Sequence, residues 1–351
     1  MHSRKASLRS SWNLASVSTR CSRPWNTCAW SRRTQRSTLK GSNPTRSSRK
    51  NKLLVQALDA TRPFDYEAKQ MALLERQKML KIGIVGFGNF GQFIANRFVK
   101  AGHTVLATSR TSYVDVASDL GVEFFTDVND FAEEHPDVVV VCSSILSSET
   151  VIRSLPLQRF KRKTLFVDVL SVKEYPKKLM LKHLSPELDI LCTHPMFGPD
   201  SGKDSWEGLK LMYDKVRIRE GDREDVCERF LKIFSDEGCE MVEMTCEEHD
   251  KIAASTQFIT HTVGRVLGKM GLETTPINTR GYDSLLNLVE NTTHDSFDLY
   301  YGLFMYNKNA TEEIDRLEHA FDSIRKQLFS ELHGVLRKEI FDDERNANGK
   351  H

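Results

Sequence analysis

The chain has 351 residues, with 50 Lys and Arg against 48 Asp and Glu and a formal net charge of +2 at pH 7. This length accommodates two modest domains. No apolar run approaches the roughly 20 residues of a membrane-spanning helix, so we expect no part embedded in a membrane. The small net charge is the sum of a basic N-terminal segment and an acidic remainder. Residues 1–58 hold 13 Lys and Arg and 12 Ser but no acid, which leaves 37 basic and 48 acidic residues, a net charge of −11, for the remainder.

The N-terminal segment has the composition of an organelle transit peptide, since it is rich in Arg and Ser and lacks acids. It has no apolar core of the kind found in secretory signals. A basic arm that binds nucleic acid is the alternative, but the high Ser content argues against it, and we expect no nucleic-acid partner. The hydroxyl content and the lack of an evident amphipathic helix favour the chloroplast over the mitochondrion. We predict a disordered transit peptide over residues 1–60 and a linker with a short helix over residues 61–79.

A glycine-rich turn follows the first predicted strand. The apolar run Ile82–Val85 leads into a G-x-G-x-x-G motif, after which helical periodicity begins. Strand, motif and helix in this order form the dinucleotide-binding fingerprint, in which glycines allow the tight turn and the approach of the pyrophosphate to the helix N-terminus. A glycine-rich turn without a ligand is the alternative, and the flanking strand and helix disfavour it. The predicted cofactor-binding residues are Gly86, Phe87, Gly88, Asn89, Phe90 and Gly91.

The residues after the second strand indicate which dinucleotide binds. An acid at this position would bind the ribose 2′-hydroxyl of NAD. Here Arg110 stands between Ser109 and Ser112, and the first acid is Asp115. A cation flanked by hydroxyls suits a 2′-phosphate, so we predict NADP, with Arg110 as charge partner and the two serines as donors. The alternative is an ordinary solvated arginine in a loop.

From residue 80 to about 244, apolar strands alternate with helical stretches, which is the pattern of a parallel sheet with crossover helices. Their cores are apolar at consecutive positions, which indicates burial on both faces. We predict an α/β, Rossmann-type dinucleotide-binding domain with a mostly parallel sheet over residues 80–244, and contacts from Ser143 and Ser144 to the cofactor's ribose. The strands after the glycine-rich turn are predicted at His103–Thr108, Val122–Phe125, Val138–Cys142, Thr164–Leu170, Asp189–Thr193, Leu211–Ile218 and Cys239–Met244.

Beyond residue 245 only long helical periods remain. They predict an all-α substrate and dimerisation domain over residues 245–340 and a polar tail over residues 341–351. The apolar faces exceed what four helices can bury alone, so we expect an intertwined homodimer. The helices are predicted at Glu247–Lys269, Asn278–Glu290, Ser296–Asn307 and Thr311–Lys338, the last with Thr311 as its capping residue.

Five of the seven cysteines lie beyond the N-terminal segment, with no C-x-x-C spacing. This pattern indicates reduced, buried or half-buried thiols and not a disulfide framework. We predict no metal site.

Three segments collect polar side chains. Val167–Lys173 and Thr193–Gly202 follow neighbouring strands, so they lie at the carboxyl edge of the sheet, where open α/β sheets bind ligands. The third lies in the first C-terminal helix and contains Gln257 and His261. His194 precedes Pro in a loop rich in Gly and Pro, which would hold its imidazole rigidly for acid–base chemistry. Alternatively His194 is a loop histidine bound to backbone and His261 a core residue. We interpret the following as surface or structural histidines: His183, His249, His294, His319 and His333.

The motifs GFGNFG, VDVLSVK, THPMFGPDSG and VENTTHDSFDLYYGLFMYNKNA resemble those of the prephenate/arogenate dehydrogenase family, and in particular its plant arogenate-specific members. The resemblance covers residues 62–340, and HPMFGPDSG is highly specific. It implies NADP-dependent oxidative decarboxylation of L-arogenate to L-tyrosine and CO2. The C4 hydrogen leaves as hydride, the C4 hydroxyl loses its proton, and loss of the ring carboxylate restores aromaticity.

The same resemblance assigns roles to individual residues. His194 matches the catalytic histidine that polarises and deprotonates the C4 hydroxyl. Ser171 matches the serine that hydrogen-bonds this hydroxyl and orients the histidine. His261 matches a second histidine, associated with substrate binding, and we add Gln257 and Lys173 to the predicted substrate site because they lie in the same segments.

One position departs from the microbial pattern. Relatives specific for prephenate have an arginine in the helical domain that binds the side-chain carboxylate, and the matching position here is Asn291. Arogenate carries an ammonium where prephenate has a keto group. Loss of a cation and gain of a carboxylate would favour that ammonium. We therefore predict Asp295 as the residue that selects arogenate, with Asp298 as second choice.

Two alternatives remain open at the level of sequence. One is another reductase with a Rossmann domain and a helical domain, of the pyrroline-5-carboxylate or hydroxyisobutyrate type. The hydroxyacid enzymes use a lysine on a linking helix, but the candidate Lys251 lies among acids on what reads as a solvated face. The other is a non-catalytic NADP sensor, which would not need Ser171 and His194 at adjacent strand ends.

Overall fold

The computed structural model describes residues 66, 68–71 and 79–348, with side-chain surroundings up to residue 339. The predicted transit peptide lies outside these residues, as does most of the predicted linker, in which residues 66 and 68–71 are helical. The described residues belong to one compact unit, Asp65–His351. Within them, no helix combines the length and the apolar character that crossing a membrane requires.

A single sheet forms the centre of the molecule, and every predicted strand is present. Its strands are β1 (Lys81–Val85), β2 (Thr104–Thr108), β3 (Glu123–Phe125), β4 (Val138–Val141), β5 (Leu165–Asp168), β6 (Asp189–Pro195), β7 (Lys210–Arg217) and β8 (Glu240–Glu243). Their order across the sheet is β3-β2-β1-β4-β5-β6-β7-β8. Only β6 and β7 pair antiparallel, which confirms the mostly parallel α/β fold. The carboxyl ends of β1, β4, β5 and β6 therefore meet at one edge.

The sheet is covered on both faces, as the unbroken apolar strands predict. In β4, Val138 and Val140 face one core, whereas Val139 and Val141 face the other. The first core includes edge-to-face aromatic pairs around Phe98. Helices supply the two outer layers, since consecutive parallel strands need a crossover on one face or the other.

Twelve α-helices lie within residues 79–348. Those up to residue 236 serve mainly as crossovers, and those from residue 246 form the C-terminal helical part. They are α1 (Asn89–Lys100), α2 (Val114–Leu120), α3 (Val128–Glu133), α4 (Ser148–Ser154), α5 (Glu174–His183), α6 (Pro199–Gly202), α7 (Asp222–Asp236), α8 (Cys246–Ala253), α9 (Ile259–Lys269), α10 (Arg280–Thr293), α11 (Phe297–Met305) and α12 (Ala310–Asn348).

Two details of the helical part differ from the sequence prediction. The helix predicted as one regular piece contains a π-helical turn, Ala254–Phe258, between α8 and α9. Periodicity cannot show a single wide turn, because it adds only one residue. The last helix begins at Ala310, so Thr311 lies in its first turn instead of capping it.

A third apolar cluster connects the helical part to the strand ends. It joins Leu170 and Val172, which follow β5, to Phe258 of the π-turn and Leu303 of α11. Phe258 also stacks on the ring of Tyr300, with the centroids 5.6 Å apart. The helix that carries the predicted substrate residues is thus packed against the edge of the sheet where the catalytic residues are expected.

The cysteine prediction is confirmed. All five described cysteines are free: Cys142, Cys192, Cys227, Cys239 and Cys246. Burial raises the pKa of the Cys227 thiol to about 12 and that of Cys239 to about 11. These thiols are therefore protonated and unreactive at neutral pH.

Candidate active site

The glycine-rich turn has the shape that a dinucleotide requires. Gly86 has φ +98°, and a Cβ there would lie 2.8 Å from the carbonyl oxygen of Cys142. A Cβ on Gly91 would collide with the carbonyl oxygen of Gly86, whereas one on Gly88 would meet nothing within 4 Å. Gly86 and Gly91 thus allow the turn and the helix to lie close together, and Gly88 leaves open space in front of α1. Since no side chain caps α1, its first N–H groups are free to bind phosphate.

The other residues of the motif contribute differently. Phe87 is fully buried and packs against Tyr113 and Phe124, so only its backbone can face a cofactor. Asn89 is exposed at the start of α1, and Phe90 is half-buried against Phe93. The motif can therefore present only its backbone and the exposed Asn89 to a cofactor.

The residues beyond β2 and β4 fit the rest of NADP. Arg110 is exposed and pairs with no carboxylate in the described part of the chain, and Ser109 and Ser112 lie beside it in sequence. Ser143 has a buried hydroxyl without a hydrogen-bond partner among the residues that the structure describes, which suits a ligand hydroxyl. Ser144 uses its hydroxyl to cap the following 3-10 turn, 2.8 Å from the hydroxyl of Ser147, so it has less capacity left for a cofactor.

His194 lies in a strand and not in the predicted loop. β6 continues through His194 to Pro195, which pairs with Leu211 of the antiparallel β7. Proline is tolerated here because β5 pairs with β6 only as far as Cys192, so no ladder bond requires its N–H. The strand holds the backbone of His194 more firmly than a loop would.

The imidazole of His194 is hydrogen-bonded to a second histidine. Its Nδ1 lies 2.8 Å from Nε2 of His249, and Nδ1 of His249 lies 3.0 Å from Oδ1 of Asp250. All three side chains are buried. His249 is therefore not the surface histidine that the sequence left open, and as a buried histidine it contacts the predicted catalytic base. This contact could not be predicted from local sequence patterns, because 55 residues separate the two histidines along the chain.

The protonation state of His194 suits a base. Burial is the main cause that holds its pKa well below the usual value, and the neighbouring ammonium of Lys173 acts in the same direction. The ring is therefore neutral at pH 7. With Nδ1 bonded to His249, Nε2 is the nitrogen left to accept a proton from a ligand.

Lys173 cannot bind substrate, which corrects the sequence prediction. It is fully buried, and its ammonium forms an ion pair with Asp168. The same ammonium donates to the carbonyl oxygen of Thr193 at 2.5 Å. Its role is to join the ends of β5 and β6, which fixes the position of the neighbouring His194.

Ser171 is half-buried at the end of the β5 segment. In the described part of the chain, no hydrogen bond connects it to His194. The bond that orients the His194 ring comes from His249 instead, so Ser171 remains free to bind a ligand hydroxyl.

The helix from the π-turn into α9 presents three unpaired polar atoms at four-residue spacing. They are Oε1 of Gln257, Nδ1 of His261 and Nε of Arg265, each buried and without a hydrogen-bond partner among the described residues. Residues four apart lie on one face of a helix. Buried polar atoms are normally satisfied, so such a stripe indicates a site for a polar ligand. The spacing was readable in the sequence, but we did not predict Arg265.

Asp295 lies beside this stripe and Asp298 does not. Oδ2 of Asp295 is 3.6 Å from Nδ1 of His261, close enough for charge attraction but too long for a hydrogen bond. Nη2 of Arg265 donates to the backbone carbonyl of Asp295 at 2.7 Å. Burial lowers the pKa of His261, and the Asp295 carboxylate opposes that effect. Asp298 is exposed in the first turn of α11.

Comparison with known proteins connects this arrangement to two family models. One, described as NADP oxidoreductase coenzyme F420-dependent, matches residues 81–171. Another, described as TYRAAT1-like, C-terminal domain, matches residues 266–340. Together they cover the nucleotide-binding strands and most of the helical part.

Two solved structures share the fold. The prephenate dehydrogenase of Aquifex aeolicus superposes with a TM-score of 0.58 at 18% identity, over 76% of this chain and 96% of that one. The arogenate dehydrogenase of Synechocystis superposes with a TM-score of 0.53 at 17% identity, over 76% of this chain and 99% of that one. At these identities the likeness concerns the fold alone.

Two curated relatives from Arabidopsis thaliana are much more similar. Arogenate dehydrogenase 2, chloroplastic, is 56% identical over 293 residues, which are 83% of this chain and 82% of the relative. Arogenate dehydrogenase 1, chloroplastic, is 57% identical over 82% of this chain, although the match spans only 45% of that longer relative. On this similarity, which extends through both the nucleotide-binding and the helical part, the chain belongs to the arogenate dehydrogenase family.

Proposed function

We propose that this chain catalyses the NADP-dependent oxidative decarboxylation of L-arogenate to L-tyrosine. The observation that carries the proposal is His194, a buried and neutral imidazole at the carboxyl edge of the sheet that shares this edge with the glycine-rich turn. The similarity of this chain to proteins named arogenate dehydrogenase supports the choice of substrate.

The cofactor site fits NADP. The open space at Gly88, the uncapped start of α1 and the unpaired Arg110 suit a pyrophosphate and a 2′-phosphate. The buried hydroxyl of Ser143 suits a ribose. When bound, NADP accepts the hydride that leaves C4 of the substrate.

His194 accepts the proton of the C4 hydroxyl and later returns it. As the C4–H bond breaks, Nε2 takes the hydroxyl proton and the carbon becomes a carbonyl. The C1–carboxylate bond then breaks, its electrons enter the ring, and the carbonyl oxygen becomes a phenolate. His194 returns the proton to this oxygen, so arogenate and NADP⁺ give tyrosine, CO2 and NADPH without a net proton. Ser171 is placed to hydrogen-bond the same oxygen.

The substrate's side chain fits the polar stripe on the helical part. Asp295 presents a carboxylate to the ammonium of arogenate, beside His261. The unpaired Nε–H of Arg265 can donate to the side-chain carboxylate, and Gln257 adds an acceptor. A site with one acid and one cation matches an amino acid, whereas prephenate has no group for the acid to bind.

We also propose that the enzyme is a homodimer in the chloroplast. Apolar side chains of α12 that are between 44% and 70% exposed support the dimer: Phe321, Ile324, Leu328, Phe329, Leu332, Val335 and Leu336. Exposed apolar surface on this scale marks an interaction site. The composition of residues 1–58 and the naming of both Arabidopsis relatives as chloroplastic support the location.

The test is a steady-state comparison of L-arogenate and prephenate, each with NADP and with NAD. We expect the highest kcat/KM for arogenate with NADP. His194→Asn should reduce kcat by on the order of 10²–10⁴ while the Kd of NADP stays the same. Equal turnover of both substrates, or near-normal turnover by His194→Asn, would contradict the proposal.

A further inference from the structure

The hydrogen bonds around His194 continue beyond its partner ring. Oδ1 of Asp250 accepts from the backbone N–H of Lys173 at 2.8 Å, and Oδ2 accepts from that of Glu174 at 2.9 Å. The carbonyl of Asp250 accepts from Nδ2 of Asn307 at 2.7 Å. Asp250 is therefore held by the backbone at the start of α5 and by the loop before α12, and its carboxylate cannot turn away from His249.

These bonds determine which nitrogen of each ring carries a proton. A carboxylate that already receives two N–H groups acts only as an acceptor, so Nδ1 of His249 must be protonated in order to donate to it. Nε2 of a neutral His249 is then an acceptor, and Nδ1 of His194 must donate to it. Nε2 of His194 is left with its lone pair, and this is the atom that must take the C4 hydroxyl proton.

We propose that His249 and Asp250 are positioning residues that hold His194 in its Nδ1–H tautomer. The inference rests on the proposed function only for its catalytic consequence, since the tautomer exists with or without turnover. When Nε2 of His194 takes a proton, the positive ring remains hydrogen-bonded to His249, which is polarised by the Asp250 carboxylate. A histidine oriented by a carboxylate through a hydrogen bond is a common device for fixing a tautomer, and here a second imidazole lies between the two groups.

Among the described residues, no other side chain hydrogen-bonds to the His194 ring. The charged group that acts on this ring is the ammonium of Lys173, which is bound to Asp168 and to the Thr193 carbonyl. Asp168 therefore belongs to the ion pair and not to the imidazoles. The helical part thus supplies the group that prepares the base, while the sheet supplies the base itself.

The direct test is ¹⁵N NMR of the full-length protein labelled at histidine, without substrate. The resonances of His194 are assigned by their loss in His194→Asn. We expect a protonated Nδ1 and an unprotonated Nε2 for His194 near pH 7.5. In His249→Leu, which removes the acceptor, the two nitrogens should show a mixture of tautomers. A predominantly Nε2–H tautomer in the parent protein would overturn the proposal, whatever substrate the enzyme turns over.

Kinetic measurements distinguish a positioning role of His249 from a role in the stability of the fold. His249→Leu should lower kcat by about 10- to 100-fold, as for outer partners of functional histidines, with the Kd of NADP unchanged. His249→Gln should keep most of the activity, because its amide oxygen can accept from Nδ1 of His194. The matched control is His103→Leu, which loses a half-buried ring that accepts from the N–H of Leu80 far along the chain from His194. An equal fall in kcat for His249→Gln, or for the control, would show a structural role only.

Discussion

At the scale of single residues, Lys173 shows how a charge can serve the fold next to an active site. Its ammonium is buried with Asp168 and the Thr193 carbonyl. Replacing only the cation leaves a buried, unpaired carboxylate, so Lys173→Met should lower the free energy of unfolding by about 3–5 kcal/mol. Urea denaturation measures this loss.

Two further variants make this prediction specific. Adding Asp168→Asn to Lys173→Met should recover part of the stability, because no charge then remains buried. Lys178→Met is the control, since Lys178 is exposed in its pair with Glu174, and it should cost no more than about 1 kcal/mol. A loss for Lys173→Met as small as that of the control would show that the buried pair is not needed.

The second prediction concerns the role of Asp295 in the choice between arogenate and prephenate. A pair of charges at ~4 Å is worth roughly 4 kcal/mol at an effective dielectric constant of about 20, and desolvation reduces this to about 2–3 kcal/mol. Asp295→Asn should therefore change the ratio of kcat/KM for arogenate and prephenate by a factor of about 30 to 150, in favour of prephenate. Steady-state assays with both substrates measure it.

Asp298→Asn provides the matched control, because this acid is exposed on α11 and, among the described residues, the carboxylate that pairs with His261 is that of Asp295. It should leave the ratio unchanged. If Asp298→Asn shifts the ratio and Asp295→Asn does not, the specificity residue is Asp298. If neither shifts it, charge does not select the substrate.

The proposed cofactor residues are those whose neighbours along the chain suggest a role. The glycines follow a strand, and Arg110 stands where an acid would bind NAD, so local context was enough to propose them as cofactor-binding residues. Lys173 was misassigned because a lysine after a strand reads the same whether it faces a ligand or a buried Asp168. The contact between His249 and His194 could not be predicted from local sequence, because His194 lies on β6, far away in the chain.

At the scale of elements, strands were easier to predict than the details of helices. Unbroken apolar runs such as Val138–Val141 identify buried strands directly. By contrast, a single extra residue is difficult to detect in the short apolar pattern of one helix, yet it rotates every side chain that follows by about 100° relative to those before it. The orientation of the polar stripe on α9 relative to α8 depends on this one extra residue.

The π-turn itself can be tested by deleting Ser255, which is exposed within Ala254–Phe258. The deletion should convert the segment to regular α-helix and rotate His261 relative to His249. Because small misplacements of substrate cost about 10² in rate, we expect kcat/KM to fall by at least about this factor while far-UV circular dichroism stays the same.

Ser255→Ala is the control for the deletion, since it keeps the residue count and removes only a hydroxyl that bonds to the Ile252 carbonyl. It should retain near-normal activity. Near-normal activity of the deletion variant as well would show that the wide turn does not orient the substrate site.

At the scale of the whole molecule, α12 is the element that the single chain leaves incomplete. Its apolar side chains at positions 321, 324, 328, 332 and 335 follow three- and four-residue spacing, so they form one stripe along an exposed helix. The sequence suggests an interface because the apolar faces exceed what four helices bury, and the dimer remains a prediction. The sequence could not predict the interface geometry, since that depends on how a second copy crosses the first.

Leu328, near the middle of this stripe, is the position at which to test the homodimer. A lysine there would place an unpaired charge in an apolar interface, which should weaken association by about 3 kcal/mol or more, over a hundredfold in Kd. Ser330→Lys adds the same charge roughly 160° away around the helix and should leave association unchanged. In sedimentation velocity at micromolar concentration, we expect the parent protein and Ser330→Lys to be dimers and Leu328→Lys to be a monomer. A dimeric Leu328→Lys would mean that the copies associate through another surface.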